Sequence, residues 1–249
     1  MKIGIIGYGK MGKEIRRQAE SEGIGVAAVI DPGALEATAK AATPEALVGA
    51  DIVFDFSNKD AVMGNIRAAA AAGKNMVVGT SGWSDKLPEA EEIVKQAGTG
   101  LVYSTNFSVG MSVFLRITDS ASKMISRLEQ YDIYVSESHH NQKTDAPGGT
   151  AKALAGIIMK NVPRKTKLAF DRIDGRKISP EELHVVSMRS GWNPGRHVVG
   201  FDSQSDNMEL VHATRSRADF AFGAIFAARW ISGKKGIYSM DQMMDSVLG

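Results

Sequence analysis

The chain has 249 residues, 43% of them hydrophobic, which is enough for one large domain or two smaller ones around a substantial core. Its 30 Lys+Arg against 28 Asp+Glu leave a net charge of +2, so bulk electrostatics give no reason to recruit nucleic acid or an anionic membrane. The absence of cysteine excludes disulfides, thiolate nucleophiles and Cys-built zinc sites, and five scattered histidines do not replace them, so no metal is expected.

The opening stretch MKIGIIGYGK lacks a sustained apolar region followed by a small-residue cleavage site, and no run of about 18 apolar residues occurs, so a cytoplasmic location is expected. Residues 2–6, 26–30, 51–55, 76–78 and 101–103 read as strands, nearly continuous in apolar character as suits strands covered on both faces. Between them, 12–22, 58–72 and 85–96 have helical length and propensity, which makes the first hundred residues a βαβ array around a parallel sheet.

After Asn106 the texture changes. Residues 107–128 and 149–160 read as helices, and 131–138, 183–189, 197–202 and 208–214 as strands with antiparallel pairing, joined by loops such as Gly-Trp-Asn-Pro-Gly. Residues 163–182 read as a loop, the most mobile part of the chain. Residues 218–231 form a helix apolar nearly all round, and therefore buried, against the first domain. The expected fold is α/β, with a Rossmann-type parallel-sheet dinucleotide-binding domain from 1–107 and 217–249. An α+β domain from 108–216 carries a mixed, largely antiparallel sheet. Hinge closure is expected near 106–110 and 215–218.

Gly7-Tyr8-Gly9-Lys10-Met11-Gly12 is a G-x-G-x-x-G directly after the first strand and at the start of a helix. Gly7 permits the tight turn, Gly9 lets backbone approach a pyrophosphate, Gly12 allows close packing, and the helix N-terminus supplies free N–H donors. Asp31 ends the second strand, where a carboxylate accepts hydrogen bonds from an adenosine ribose. A negative charge there repels a ribose phosphate, and Pro32 and Gly33 offer no guanidinium to receive one. The cofactor is therefore expected to be NADH or NADPH, tilted toward NADH. Phe56-Ser57, Gly79-Thr80-Ser81-Gly82 and Ser104-Thr105-Asn106-Phe107 follow three later strands, where ligands of open α/β sheets sit; each is also readable as a simple strand-to-helix turn.

The stretch ESHHNQKTDAPGGTAKALA, residues 137–155, carries the second constellation. A histidine donates a proton near neutral pH, a nearby lysine stabilises developing negative charge, and Gly148-Gly149-Thr150 opening a helix offers bare N–H groups and a hydroxyl to an anion. His139-His140-x-x-Lys143-x-Asp145-Ala146-Pro147-x-Gly149-Thr150 resembles the signature of the dihydrodipicolinate reductase family of diaminopimelate and lysine biosynthesis. The likeness extends along nearly the whole chain. It takes in the fingerprint, Gly79-Thr80-Ser81-Gly82, Asn106-Phe107-Ser108-x-Gly110, Arg189-x-Gly191-x-x-x-Gly195-x-His197 and His212-Ala213-x-x-x-Arg217.

The resemblance implies a pyridine-nucleotide reductase acting on a small cyclic imine with two carboxylates, a second domain for substrate binding and oligomerisation, and a homotetramer assembled through that domain's sheet. It implies that His139 donates or accepts the proton, Lys143 is a second proton donor, His140 contacts substrate, and Gly149 and Thr150 hold one carboxylate. For the cofactor it points to Gly7 through Gly12, Asp31, Gly79, Thr80, Ser81, Ser104, Thr105, Asn106 and Phe107. Departures from the family pattern are Gly148 where serine is usual, Thr80-Ser81 in place of Thr-Thr, Pro32 where many members carry arginine, and a short segment from 31 to 51.

Two other readings compete: a related dehydrogenase for a different keto or imino acid, and a regulatory protein that senses NADH without turnover. The first leaves the His-His-Lys spacing unexplained; the second makes it dispensable. His184, His197 and His212 fall on candidate strands and read as structural histidines, and the twelve methionines as core filler.

Overall fold

The computed structural model describes residues 1–171 and 173–249. The chain divides into two compact units, residues 1–109 with 217–249, and residues 110–216.

In the first unit, five short apolar runs become β1 (Lys2–Ile6), β2 (Gly25–Ile30), β3 (Ile52–Asp55), β4 (Asn75–Val78) and β5 (Gly100–Tyr103), and a sixth strand, β11 (Gly236–Ser239), is added late in the chain. Their order is β11-β5-β4-β3-β1-β2, and every pairing is parallel. Helices α1 (Lys10–Ser21), α2 (Pro44–Leu47), α3 (Val62–Ala71) and α4 (Leu87–Ala97) supply crossovers, with a single 3₁₀ turn before α4. Burial on both faces explains the unbroken apolar strands: Ile3, Ile5, Val53, Phe54, Val77, Val78, Leu101 and Val102 are enclosed. Because all strands run the same way, their carboxyl ends share one edge of the sheet.

The short connection from β2 to β3 departs from the long crossover helix of its neighbours. Residues 31–43 form an irregular loop in which Thr38 Oγ1 bonds Val29 and Ala39 bridges Ile30, and only the four-residue α2 follows, capped by Thr43. The apolar helix near the carboxyl end is α7 (Ala218–Ile231), which packs on α1, β4 and β5; α8 (Met240–Leu248) follows β11 through a Ser239 capping box. Met240, Met243 and Met244 are buried, as core filler should be.

In the second unit, α5 (Val109–Ile125) and α6 (Gly149–Asn161) cover one face of a five-stranded sheet of β6 (Asp132–His139), β7 (Lys167–Phe170), β8 (Glu182–Arg189), β9 (Arg196–Asp202) and β10 (Asn207–Ala213). Alternation sets the faces: Ile133, Val135, Leu183, Val185, Val199 and Phe201 point to the helices and are buried. The order is β10-β9-β6-β8-β7. Here two expectations are corrected. The sheet is evenly mixed rather than largely antiparallel, because β9 pairs antiparallel with β10 and β6 while β8 pairs parallel with β6 and β7. The supposed mobile loop of 163–182 contains β7, whose backbone hydrogen bonds to β8 secure the sheet edge.

Candidate active site

At the carboxyl edge of the first sheet, the three fingerprint glycines meet three different surroundings. Gly7 has a positive φ of 86°, and a Cβ on it would lie 2.4 Å from the Phe56 carbonyl oxygen; a Cβ on Gly12 would lie 2.1 Å from the Gly7 carbonyl oxygen. Both are held where only glycine fits. A Cβ on Gly9 would have no neighbour within 4 Å, so its backbone faces open space. Gly9 is also the N-cap of α1 and supplies no side chain to the helix end, whose first N–H groups have no partner within the helix. Backbone donors, a helix dipole and free approach suit the pyrophosphate of a dinucleotide.

Asp31 follows β2 directly. Its Oδ2 accepts the Tyr8 N–H at 2.8 Å, and its Oδ1 accepts the N–H groups of Gly33 and Ala34 at 2.8 and 2.9 Å. The Tyr8 peptide, then Gly33, hold the carboxyl below its ordinary range against the opposing effect of burial. Asp31 is thus an anion locked to the fingerprint turn. Lys40 joins this corner, its ammonium 3.3 Å from the Ala34 carbonyl; sequence spacing did not single it out. Tyr8 is buried, with Arg16 donating to its hydroxyl at 3.0 Å, while Lys10 is exposed and Met11 half-buried at the start of α1.

The three later loops reach the same edge, but not all their side chains face outward. Asp55, fully buried at the end of β3, accepts from the Thr80 hydroxyl at 2.5 Å, from Ser57 N–H and hydroxyl at 3.0 and 2.8 Å, and from Asn65 at 2.7 Å. The Thr80 hydroxyl is therefore spent on shaping its loop. Gly79 is pressed on the Phe56 ring, which packs on buried Phe107 at 6.1 Å. Ser104 and Asn106 bond within their own turn. Ser81 and Thr105 are exposed and line, with Tyr103, Ser104, Trp83 and Met240, a cleft of about 250 Å³. Asp55 is the residue that sequence reasoning missed here, since an acid ending a strand has no distinctive spacing.

In the second unit the strand register builds the other cluster. Glu137 and His139 stand two apart on β6, so their side chains share a face. His197 of β9 lies directly opposite Glu137, and Arg189 of β8 directly opposite His139. The Glu137 carboxylate accepts Arg189 Nη2 at 2.7 Å and the Gly148 N–H at 2.8 Å. His139 Nδ1 and His197 Nε2 lie 3.5 and 3.6 Å from its Oε2, and the two rings meet edge-on at 5.1 Å. Burial alone would raise the Glu137 carboxyl; Arg189 and Gly148 outweigh it and hold it below the usual range. Burial lowers both imidazoles, with Glu137 opposing: His139 falls below its ordinary value and His197 to about 4.

Lys143 pairs with Asp145 at 2.6 Å, and a Cβ on Gly148 would lie 3.5 Å from its ammonium nitrogen, so this cation borders the cluster. His140 follows the strand, its peptide N–H donating to Asn193 at 2.7 Å. Gly148 is the N-cap of α6, without a side chain to cap the helix; Gly149 is exposed with open space around it, and Thr150 is half-buried beside it. His139, Lys143 and the Gly149-Thr150 helix entrance are thus brought together, as their closeness in sequence suggested. Glu137, Arg189 and His197 were missed as members. His197 in particular read as a structural histidine, and only the β6–β9 register brings it to Glu137.

The donor atoms of Glu137, His139 and His197 lie within 4.8 Å of one another, a spacing that an ion can span. Cationic charge is already supplied there by Arg189 on the carboxylate and Lys143 alongside, and a further cation would be opposed by both. The cluster's chemistry is that of a proton carrier next to donors for an anion.

Two family models divide the chain between them: dihydrodipicolinate reductase, N-terminus, over residues 1–107, and dihydrodipicolinate reductase, C-terminus, over residues 110–244. Relatives described as 4-hydroxy-tetrahydrodipicolinate reductases match end to end. That of Archaeoglobus fulgidus is 34% identical over 98% of this chain and 100% of its own. That of Methanoregula boonei is 36% identical over 98% and 97%, and that of Christiangramia forsetii 30% identical over 99% of each. A dipicolinate-bound dihydrodipicolinate reductase from Paenisporosarcina sp. TG-14 shares the fold, with a TM-score of 0.77 at 21% identity over 97% of this chain and 98% of that one. With both family models matched in order and full-length relatives above 30% identity, the chain belongs to the dihydrodipicolinate reductase family, whose members are pyridine-nucleotide-dependent oxidoreductases.

Proposed function

We propose that this chain catalyses the reaction after which its relatives are described, the NAD(P)H-dependent reduction of 4-hydroxy-tetrahydrodipicolinate to tetrahydrodipicolinate, with His139 and Lys143 at the reacting atoms. The observation that carries the residue assignment is a largely buried His139, facing an anionic Glu137 two residues away on β6 and placed beside an uncapped helix entrance. The bound nicotinamide supplies a hydride. In balance, the ring gains one hydride and one proton and its hydroxyl departs as water. His139 delivers the proton to the electron-rich carbon or nitrogen that hydride addition leaves, and Lys143 stabilises that charge or gives a second proton. His140 contacts the substrate. Backbone N–H groups at Gly149 and Thr150, with the Thr150 hydroxyl, hold one carboxylate.

The dinucleotide is assigned to Gly7 through Gly12, Asp31, Gly79, Thr80, Ser81 and Ser104 through Phe107, mainly through backbone. Preference for NADH over NADPH follows from the locked carboxylate of Asp31; Lys40 is the neighbouring cation that would have to receive a ribose phosphate. A homotetramer is assigned through the sheet face opposite α5 and α6, where Met188 and Val211 are exposed. Sedimentation at micromolar concentration tests it; a monomer there ends the assignment. A cytoplasmic site of action goes with the biosynthetic role.

The deciding experiment follows NADH absorbance with enzymatically generated substrate. Wild type should turn over, and His139→Gln and Lys143→Ala should lose kcat while binding NADH as before. Wild-type rates in both variants would remove these residues from the chemistry.

A further inference from the structure

The two oxygens of Glu137 face different partners. Oε1 accepts the Gly148 N–H at 2.8 Å and Arg189 Nη2 at 2.7 Å. Oε2 faces His139 Nδ1 at 3.5 Å and His197 Nε2 at 3.6 Å, longer than a formed hydrogen bond and within reach of one after a small ring rotation. Glu137 Oε2, His139 Nδ1 and both ring nitrogens of His197 are buried without a hydrogen-bond partner among the described residues. Such groups are costly alone and complement one another as acceptor and donors. A carboxylate oxygen on Nδ1 selects the tautomer with the proton on Nδ1. The other ring nitrogen borders Gly195, where a Cβ would come within 3.0 Å of Nε2. A residue without a side chain leaves that nitrogen approachable.

We propose that Glu137 is a positioning residue that fixes His139 with Nδ1–H toward Oε2, so that Nε2 takes up and releases the reaction's proton, and that the same carboxylate ties this ring to the first peptide of the α6 anion cradle. The proposal rests on the reductase reading above and adds which atom of His139 reacts and what holds it. The ionisable groups around the ring are Glu137 and His140 from β6 and the turn after it, Lys143 from the following loop, Arg189 from β8 and His197 from β9, with His212 of β10 beyond His197. Of those acting on His139, Glu137 alone favours the protonated ring.

The test is ¹⁵N NMR of the labelled full-length chain, with the His139 ring signals identified by their loss in His139→Gln. In wild type the neutral ring should show a protonated Nδ1 and an unprotonated Nε2. In Glu137→Gln, where the amide oxygen still accepts the Gly148 N–H, kcat should fall about ten- to a hundredfold with little change in KM for the cyclic diacid. Its alkaline limb should move to lower pH, because the imidazolium has lost its counter-charge. Glu137→Ala should raise KM as well. NADH binding should match wild type throughout. A wild-type ring protonated on Nε2, or a Glu137→Gln variant with wild-type kcat and pH profile, overturns the proposal. Should the variants fail to fold, the wild-type spectrum decides by itself. If the reductase reading were wrong, the chain would show the Nδ1–H tautomer and still fail to turn over the diacid.

Discussion

In the first unit, Gly7 and Gly12 are pressed against backbone carbonyls and Gly9 faces open space; in the second, Gly148 and Gly195 stand against the protein's own side chains, a Cβ on them falling 2.8 Å from Glu137 Oε2 and 3.0 Å from His139 Nε2. The same residue type does two jobs. In the first unit it shapes backbone and leaves the α1 entrance without a side-chain cap, which suits the pyrophosphate proposed to bind there. In the second unit it makes room for charged and titratable side chains converging from three strands. A site of the first kind tolerates many side chains and few backbone changes; one of the second kind has the reverse sensitivity.

That contrast has measurable edges. The largest effect should come from His139→Gln, which should lower kcat by about 10²–10⁴, the usual worth of a general acid, with the Kd for NADH unchanged in a fluorescence titration. Gly9→Ala should do the opposite, weakening NADH about tenfold because the new methyl stands in the open space through which a pyrophosphate approaches the backbone, while leaving kcat at saturation and thermal stability near wild type. If Gly9→Ala instead lowered Tm, Gly9 would be a packing residue and the contrast would fail.

Gly12→Ala, whose Cβ would meet the Gly7 carbonyl oxygen at 2.1 Å, should cost stability in addition to cofactor affinity, about 1–3 kcal/mol by denaturant unfolding. Gly148→Ala should leave NADH binding alone and raise KM for the diacid about tenfold, since the new methyl displaces Glu137 or Lys143 next to the cradle. An unchanged KM would show that the helix entrance is not where a carboxylate sits.

The smallest effect concerns stability against pH. An unfolded chain protonates His197 near its ordinary value of 6.5, whereas the buried ring resists until about 4. Between those values the unfolded state binds more protons, so stability should fall as pH drops through this window. His197→Gln should flatten that part of a Tm-against-pH curve. A curve of wild-type slope would mean that the ring is not held neutral.

The pattern of apolar runs and Ala-rich helices was enough to place β1 to β5 within a residue at either end, because doubly covered parallel strands and their crossover helices differ strongly in period and length. What escaped were β7, β11 and α2. β7 and β11 are edge strands, exposed or half-buried along most of their length, so they lack the continuous apolar run that marks the equally short β3 to β5, and α2 is one turn. His139, Lys143 and the helix entrance were legible because they lie within a dozen residues. Asp55 was not, since its partners Asn65 and Thr80 are joined to it only by the fold.

By itself the amino-acid sequence determined the parallel sheet of the first unit, the fingerprint turn, the His-His-Lys segment with its helix entrance and the family, because these depend on residue type and local spacing. Tertiary structure alone decided that Arg189 and His197 join Glu137 and His139. Strand register is set by packing over the whole sheet, and a slip of one residue would send every one of these side chains to the other face.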